Sequence, residues 1–383
     1  MSGITLMMLG NFALASGATP SSLYVWGGNY NGSSARNLND TAGESSSPIQ
    51  LGSETDWLQF SGAYNFVGTR SSGHLYSCGD GRFGCWNTGL NASSPIQIGS
   101  LTNWTGGVLN QEGVACHVIK KDGSLWGWGE NDYGAVGVNT GSGDISKYSS
   151  PVQIGSLTTW ASTTGGGYTA CQAVKTDGTL WMWGAATSGG LGNGTSSGDI
   201  SSPVQLGSLT NWLKGASGGE NHQIHVKTDG TLWTWGNNNY GQLGNGGTGN
   251  TNSPNQVGSS TGWTACGAGY QTSGAIDAGK LYMAGRNNNG ELGRNVTTTT
   301  QTTFQQVGAL TTWEDIRPGN GITLAKKTDG TIWAWGANWI GQAGQSTKNP
   351  VKYSSPVQIG SQTDWTAIHL GTTGSATAMG GRA

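Results

Sequence analysis

A phrase that ends in tryptophan recurs seven times along the chain, and this repeat limits the possible folds more than any other feature. The clearest copies read "SSPIQLGSETDW", "SSPVQIGSLTTW" and "SSPVQLGSLTNW". The residues that end the copies, here termed the marker tryptophans, are Trp57, Trp104, Trp160, Trp212, Trp263, Trp313 and Trp365. Neighbouring marker tryptophans lie 47 to 56 residues apart. Periods of this length are typical of chains that stack one supersecondary unit many times.

Each repeat has the pattern of four short β-strands. They are "SPVQIG", the stretch after the marker tryptophan, an alternating segment such as "YTACQAVK", and a segment such as "TLWMW". The last two are joined by "KTDG", in which the glycine can adopt the positive φ that a tight hairpin requires. The repeat therefore predicts a unit of four antiparallel strands.

The W-x-W segment indicates how such units pack together. Side chains alternate along a strand, so both rings point to one face and offer a broad aromatic surface to the next sheet. Seven units of similar length favour closure into a ring over an array of sandwiches. We therefore predict an all-β fold: a seven-bladed β-propeller with four antiparallel strands per blade.

Glycines and two substitutions refine this prediction. A glycine follows W-x-W, or the segment that corresponds to it, in every repeat, and five residues later each repeat has another: Gly32, Gly84, Gly134, Gly189, Gly241, Gly290 and Gly341. A glycine in every copy indicates a backbone conformation that other residues adopt only with strain. Cys78 and Ala284 replace the second tryptophan of W-x-W in two repeats, so we expect those blades to pack less tightly.

The segments "LWTWGNNNYGQLGNG" (232–246) and "GENHQIHVKTDG" (219–230) resemble the regulator-of-chromosome-condensation repeat, including its usual histidine at His222. The resemblance covers about residues 21–383 and implies a propeller with blades of about 50 residues. It does not by itself imply an activity, because function depends on sites that differ among members of one fold.

Composition argues against several classes of partner. The chain has 383 residues, a net charge of −2 and 10% charged residues, with no run of Lys or Arg. Nucleic acid is therefore not an expected partner. No stretch reaches the roughly 18 apolar residues of a membrane span, so no membrane insertion is expected. Because residues 1–14 carry no Lys or Arg, we expect no cleaved signal peptide.

No pattern of catalytic or metal-binding residues stands out. The five cysteines, Cys78, Cys85, Cys116, Cys171 and Cys266, lack CxxC spacing. His222 and His225 form HxxH, but residues i and i+3 of a strand point to opposite faces. The aspartates of the "KTDG"-type turns repeat with the unit, and Asp144 and Asp199 lie in longer connections. We therefore expect no enzyme activity, no cofactor, no metal, and a fold independent of calcium and zinc.

The sequence predicts a non-catalytic structural or binding propeller. Low charge and richness in Gly, Ser, Thr and Asn favour a virion appendage or decoration protein of a tailed phage, since similar repeat chains occur there. Its partners would be virion components or a host-surface receptor, and its location the virion, with an extracellular or cytoplasmic location as alternatives. The family resemblance implies other functions: guanine-nucleotide exchange or inhibition of another protein. Light sensing is not expected, because Gly-Trp-Arg-His-Thr motifs are absent.

Partner-binding candidates lie in the loops after W-x-W and in two longer connections that share Lys-Tyr. Exposed aromatic residues are favoured interface anchors. The candidates are Tyr30, Phe83, Tyr133, Tyr240, Trp339, Lys147, Tyr148, Lys352 and Tyr353. The alternative for the loop aromatics is a role in filling gaps between blades.

The two ends of the chain offer one pair of strands too many. We predict that 365–380 closes the ring against 23–26, because Trp365 keeps the marker register. Residues 1–20 then form an arm that docks on another subunit or virion protein, so a homo-oligomer is also considered. The apolar residues of the arm are Ile4, Leu6, Met7, Met8, Leu9 and Phe12. The propeller itself would span 21–383.

Overall fold

The computed structural model describes residues 20–28, 44–62, 65–80, 92–109, 115–141, 145–164, 170–218, 221–297, 300–371 and 377–383. In chain order the first strands are β1 (Ser22–Gly27), β2 (Ser45–Gln50), β3 (Trp57–Gly62), β4 (Asn65–Arg70), β5 (Leu75–Gly79), β6 (Ala92–Gln97), β7 (Trp104–Leu109), β8 (Ala115–Lys120), β9 (Leu125–Glu130), β10 (Lys147–Gln153), β11 (Trp160–Thr164), β12 (Ala170–Lys175), β13 (Leu180–Gly184) and β14 (Ile200–Gln205). The remaining strands are β15 (Trp212–Gly218), β16 (His222–Lys227), β17 (Leu232–Gly236), β18 (Thr251–Gln256), β19 (Trp263–Ala268), β20 (Thr272–Asp277), β21 (Lys280–Gly285), β22 (Gln301–Gln306), β23 (Trp313–Pro318), β24 (Ile322–Lys327), β25 (Ile332–Ala337), β26 (Lys352–Gln358), β27 (Trp365–Leu370) and β28 (Thr377–Arg382). Two 3-10 turns lie at Asp132–Gly134 and Thr187–Gly189.

These strands form seven antiparallel sheets of four strands each, the blades of a propeller. Blades 1 to 6 each use four consecutive strands, from β3–β6 in blade 1 to β23–β26 in blade 6. Blade 7 has the strand order β27-β28-β1-β2. The predicted all-β, seven-bladed fold is confirmed.

Blade 7 closes the ring with strands from both ends of the chain. Strand β28 pairs with β1 along its whole length, with Leu23 opposite Gly381 and Trp26 opposite Ala378. The predicted closure by the C-terminal strands is therefore confirmed. It leaves the edges of this sheet to β27 and β2, as in the other blades, and β1 lies in its interior.

The boundary between blades falls at the marker tryptophan. Each "SPVQ" strand pairs with the W-x-W strand that precedes it in the chain, as in the register Trp181 to Gln205. The repeat in the sequence begins one strand earlier than the blade in the structure. The marker tryptophan consequently opens the first strand of each blade, and these first strands contact one another around the ring.

The W-x-W strands join neighbouring blades by burying alternate side chains on opposite faces. Trp181 and Trp183 of β13 pack with Ile119 and Leu125 of blade 2. Leu180 and Met182 of the same strand pack instead with Trp235 of blade 4. Both rings of W-x-W therefore point to one face, as predicted, and that face meets the preceding blade.

The second tryptophan of W-x-W also makes a hydrogen bond between blades. Trp183 Nε1 donates to the carbonyl oxygen of Ala135 at 2.9 Å, and that carbonyl follows the repeated Gly134. The corresponding bonds in other blades run from Trp26 to Gln342, from Trp235 to Gly190 and from Trp335 to Glu291, at 2.8 to 3.1 Å. Each buried indole thus ties its blade to the loop of the blade before it.

The repeated glycine of that loop is required by both conformation and space. Gly189 has φ +80°, and a Cβ there would lie 2.6 Å from Asn252 Cα in the next blade. Gly134, Gly241, Gly290 and Gly341 have φ of +74° to +80° and equally close neighbours. The predicted special backbone conformation is confirmed at these five positions, and Gly32 and Gly84 lie outside the described residues.

Blade 5 fills the space that its missing tryptophan would leave. Ala284 is fully buried at the position where five of the other blades carry the second indole and blade 1 carries Cys78. A Cβ on Gly244 would lie 2.3 Å from Phe304 Cδ2, whereas Gly192 and Gly293 approach the indole nitrogens of Trp235 and Trp335. Phe304 of β22 therefore takes the place of the indole beside this glycine. The looser packing predicted for the two substituted blades stays a prediction.

Candidate functional site: the loop face of the ring

Antiparallel strands place two kinds of connection at opposite ends of the ring. The segments between the first and second strands, and between the third and fourth, emerge at one end, here termed the loop face. The hairpins between the second and third strands emerge at the other end, with the connections between blades. This end is termed the turn face.

Hydrogen bonds explain the repeated aspartates of the turn face. Asp177 Oδ1 accepts from the backbone nitrogen of Thr179 at 2.9 Å and from its hydroxyl at 2.6 Å. These bonds lower the pKa of Asp177. Trp181 Nε1 in turn donates to the Thr179 hydroxyl at 2.9 Å. Asp122, Asp229 and Asp329 repeat this arrangement, so their architectural assignment is supported.

A lysine beside each of these turns packs on tryptophan rings, a feature that the sequence analysis missed. Lys175 Nζ lies 3.5 Å from the ring centre of Trp181 and 5.1 Å from that of Trp160. Lys120, Lys227 and Lys327 make the same contacts in their blades. Burial lowers the pKa of all four amines. The signal was available, because a lysine precedes the turn in each of these repeats.

On the loop face, a buried asparagine organises the segment after W-x-W. Asn338 Oδ1 accepts from the Ala343 nitrogen at 3.1 Å, and its Nδ2 donates to the carbonyls of Thr347 and Pro350. Asn131, Asn238 and Asn287 hold their loops in the same way. In blade 3 the position is Ala186, and Asp199 accepts from its backbone nitrogen instead. The loops are thus held on one side chain each.

Two of the candidate aromatic residues project from these loops into solvent. Trp339 is 56% exposed and Tyr133 is 46% exposed. Tyr240, in contrast, is half-buried, and the Arg286 guanidinium of the next blade lies 5.8 Å from its ring centre. Tyr240 therefore fits the alternative role of filling the gap between blades 4 and 5. Tyr30 and Phe83 lie outside the described residues.

The two Lys-Tyr pairs divide between surface and core. Lys147 and Lys352 are exposed at the start of the fourth strands of blades 2 and 6. Tyr148 is half-buried, and its hydroxyl lies 2.9 Å from Thr140 Oγ1. Tyr353 is half-buried and packs against the core on both sides of blade 6. The structure therefore presents the lysines to a partner more fully than the tyrosines.

The apolar arm Ile4, Leu6, Met7, Met8, Leu9 and Phe12 lies outside the described residues, so its docking role stays a prediction. The described chain begins just before β1, and Ser21, the residue that precedes this strand, forms a bridge with Trp57. The chain therefore enters the ring at the turn face.

Three of the histidines, His117, His222 and His225, are buried inside the blades. His222 Nε2 lies 3.0 Å from Ser273 Oγ of blade 5, whereas His225 stacks on Trp235 with ring centres 4.9 Å apart. The two rings thus point to opposite faces, as predicted. Burial lowers the pKa of His222 to about 4 and that of His225 to about 3.

Within the described ranges, no group of three or more His, Cys, Asp or Glu could hold a metal ion. The part of the chain that the structure describes also contains no helix long and apolar enough to cross a membrane.

Comparisons with known proteins agree with this geometry. The family model of the regulator of chromosome condensation (RCC1) repeat matches residues 122–171, 177–225 and 229–276. Three consecutive segments of the propeller are thus RCC1-type repeats. The crystal structure of Prp20p from Saccharomyces cerevisiae superposes with a TM-score of 0.77 at 16% identity. That superposition covers 97% of this chain and 93% of Prp20p, and it supports the fold alone.

Sequence relatives resemble only part of the chain. It is 30% identical over 241 residues to the ultraviolet-B receptor UVR8 of Arabidopsis thaliana, covering 61% of this chain and 52% of UVR8. It is 26% identical over 260 residues to the human E3 ubiquitin-protein ligase HERC2, covering 64% of this chain and 5% of HERC2. The chain thus matches about half of UVR8 and a small part of HERC2.

Proposed function

We propose that this chain is a non-catalytic RCC1-type propeller that binds a partner protein through its loop face. The observation that carries the proposal is the exposure of Trp339 and Tyr133 on loops held by buried asparagines. A large exposed ring on a rigid loop loses little conformational entropy on binding, which makes it an effective anchor.

The relatives favour a regulatory partner. Their names describe a receptor and a ubiquitin ligase, and the Prp20p structure was described with its binding of Gsp1p and histones. Nothing in these similarities supports the hypothesis of a phage virion protein, so regulatory binding is the better-supported function. The exclusion of nucleic acid stays a prediction. A virion location, with an extracellular or cytoplasmic location as alternatives, likewise stays a proposal.

Nucleotide exchange on a small GTPase is the second candidate. It is suggested by the binding of Gsp1p by Prp20p, a protein that shares the fold at 16% identity. A nucleotide-release assay with the purified chain and a panel of small GTPases would test it, and unchanged release rates across the panel would remove it.

Site-specific photo-crosslinking tests the proposed face. A benzophenone amino acid replaces Tyr133 or Trp339 on the loop face, and Leu157 or Leu209 on the turn face as matched controls. The two leucines are 44% and 46% exposed, close to the 46% of Tyr133. We expect one defined partner protein to be crosslinked in native extract from the loop-face positions and not from the controls. Equal yields from both faces, or crosslinks from the turn face alone, would contradict the proposal.

A further inference from the structure

Trp339 belongs to a small apolar surface on blade 6. Val351, from the far end of the same loop, is 50% exposed. Its carbonyl accepts a hydrogen bond from the Asn338 nitrogen at 2.7 Å, so the two apolar side chains project from adjoining positions of the loop. The Asn338 side chain fixes both strands of the loop through its bonds to Ala343 and Pro350. The surface therefore exists before any partner arrives.

Basic residues lie on the Trp339 loop and on the neighbouring loop of blade 5. Lys352 is exposed and pairs across the sheet with Ala337, which lies two residues before Trp339 in the sequence. Arg294 of the blade 5 loop precedes Asn295, whose nitrogen donates to the carbonyl of Ser354 at 2.6 Å, which brings the two loops together. Lys348 lies on the Trp339 loop itself. We term Arg294, Trp339, Lys348, Val351 and Lys352 the Trp339 patch.

Acidic residues offset little of this charge. Lys348 Nζ pairs with Glu44 Oε2 at 2.7 Å. The segments 286–297 and 337–352 contain one acid, Glu291, which is 1% exposed and whose pKa burial raises. The same segments contain Arg286, Arg294, Lys348 and Lys352. Around Trp339, the described part of the loop face is therefore positive although the whole chain has a net charge of −2.

An apolar anchor with a basic rim complements an acidic peptide segment that carries an apolar side chain. Single-stranded nucleic acid could also stack a base on Trp339. However, affinity for nucleic acid comes largely from neutralising several phosphates, and this patch offers two cations, Arg294 and Lys352, besides Lys348, which pairs with Glu44. The small number of cations and the aliphatic Val351 favour a peptide.

We propose that the Trp339 patch binds an acidic segment of the partner protein, with an apolar side chain of that segment between Trp339 and Val351. This inference rests on the proposed function, since it gives the chemistry of the partner at the same face. The basic residues of the patch speed association and favour a partner of negative charge, whereas Trp339 supplies most of the affinity.

A random dodecapeptide display library tests this directly. The library is selected on the wild-type chain and, in parallel, on Trp339→Ala, and the enrichment of each peptide is compared between the two selections. We expect the enriched peptides to combine several acidic residues with a large apolar residue, and to be lost on Trp339→Ala. Enriched peptides that are neutral or basic, peptides that Trp339→Ala retains, or no enrichment at all would overturn the inference.

One enriched peptide is then measured by fluorescence anisotropy. Trp339→Ala should weaken its binding about tenfold or more. The double variant Arg294→Glu/Lys352→Glu should weaken it at low salt and much less at high salt, because exposed charges are screened. Leu209→Ala, which changes an apolar residue of the turn face that is 46% exposed, should leave binding unchanged. Equal loss in Leu209→Ala, or tighter binding of oligothymidylate than of the peptide, would refute the assignment.

The two proposals fail separately. If photo-crosslinks form at Tyr133 while no peptide depends on Trp339, the loop face still binds a partner and only the Trp339 patch is wrong. If crosslinks form from the turn face while acidic peptides still require Trp339, the peptide site stands without the proposed function.

Discussion

Replacing Trp183 with alanine should remove the main contact between blades 2 and 3. The Trp183 side chain is fully buried and packs with Ile119, Leu125 and Ile154 of the preceding blade. Its Nε1 donates to the carbonyl of Ala135, and its ring meets that of His117 edge to face at 5.2 Å between centres. The change therefore leaves a cavity at an interface between blades.

The expected loss of stability is large for a single substitution. Truncating a buried tryptophan to alanine costs about 3–5 kcal/mol through lost burial and the cavity that remains. Trp183→Phe should cost less, about 1–2 kcal/mol, because most of the packing survives. The Ala135 carbonyl also keeps its 3.0 Å contact with His117 Nε2, so it is not left without a donor. Trp339→Ala should cost less than about 0.5 kcal/mol, since surface substitutions rarely cost more.

Urea unfolding of the purified chain, followed by far-ultraviolet circular dichroism, measures these differences in the free energy of unfolding. We expect the order Trp183→Ala, then Trp183→Phe, then Trp339→Ala, from most to least damaging. If Trp339→Ala lowers stability as much as Trp183→Ala, then Trp339 is a core residue and cannot be a free anchor. If Trp183→Ala costs less than about 1 kcal/mol, the packing argument for the blades is wrong.

The remaining predictions concern pH, glycine, blade 5 and the chain ends. Burial lowers the pKa of His117, His222 and His369 to about 4 and that of His225 to about 3, so the unfolded chain binds these protons first as the pH falls. Stability should be nearly constant around neutral pH and fall from about pH 6.5 towards pH 4, by about 3 kcal/mol per histidine, and His225→Phe should flatten this fall in urea titrations. Gly189→Ala should lower the melting temperature more than Gly155→Ala, because both have positive φ but only Gly189 has close neighbours. Phe304→Ala should destabilise the chain in urea unfolding, and Ala284→Trp should be less harmful in that background than alone. Deleting residues 1–20 should leave circular dichroism and melting unchanged but prevent assembly by light scattering, whereas deleting 377–383 should unfold the ring.

Periodicity made most of the fold predictable. The marker tryptophans and the W-x-W strands repeat at fixed spacing, so the number of blades, the strand count and the aromatic face followed from side-chain alternation. The closure of the ring followed from Trp365, which keeps the register that the N-terminal residues lack. The blade boundary did not follow, because the repeat in the sequence contains no sign of which W-x-W strand each "SPVQ" strand will join.

The candidate site was less predictable, because exposure depends on how loops pack against the next blade. Trp339, Tyr133 and Tyr240 occupy similar loops, yet Tyr240 is half-buried beside Arg286 and Trp339 is exposed. Arg294 and Lys352 are about 58 residues apart in the sequence, and only the contact between Asn295 and Ser354 brings their loops together. Phe304 likewise fills the place of an indole, but it comes from a different strand of the blade. A comparison of the repeats position by position cannot reveal this replacement.

The pairing of β1 with β28 means that blade 7 cannot form until the rest of the ring has been synthesised. Strand β1 ends at Gly27 and its partner β28 begins at Thr377, 350 residues later, which at about 5–20 residues per second is roughly 20–70 s. During that time the flank of β1 that will meet β28 is an open sheet edge, available for pairing with another nascent chain. The β1–β28 pairing covers this edge in the finished ring, but its late formation exposes the nascent chain to strand exchange with neighbouring chains on the same polysome.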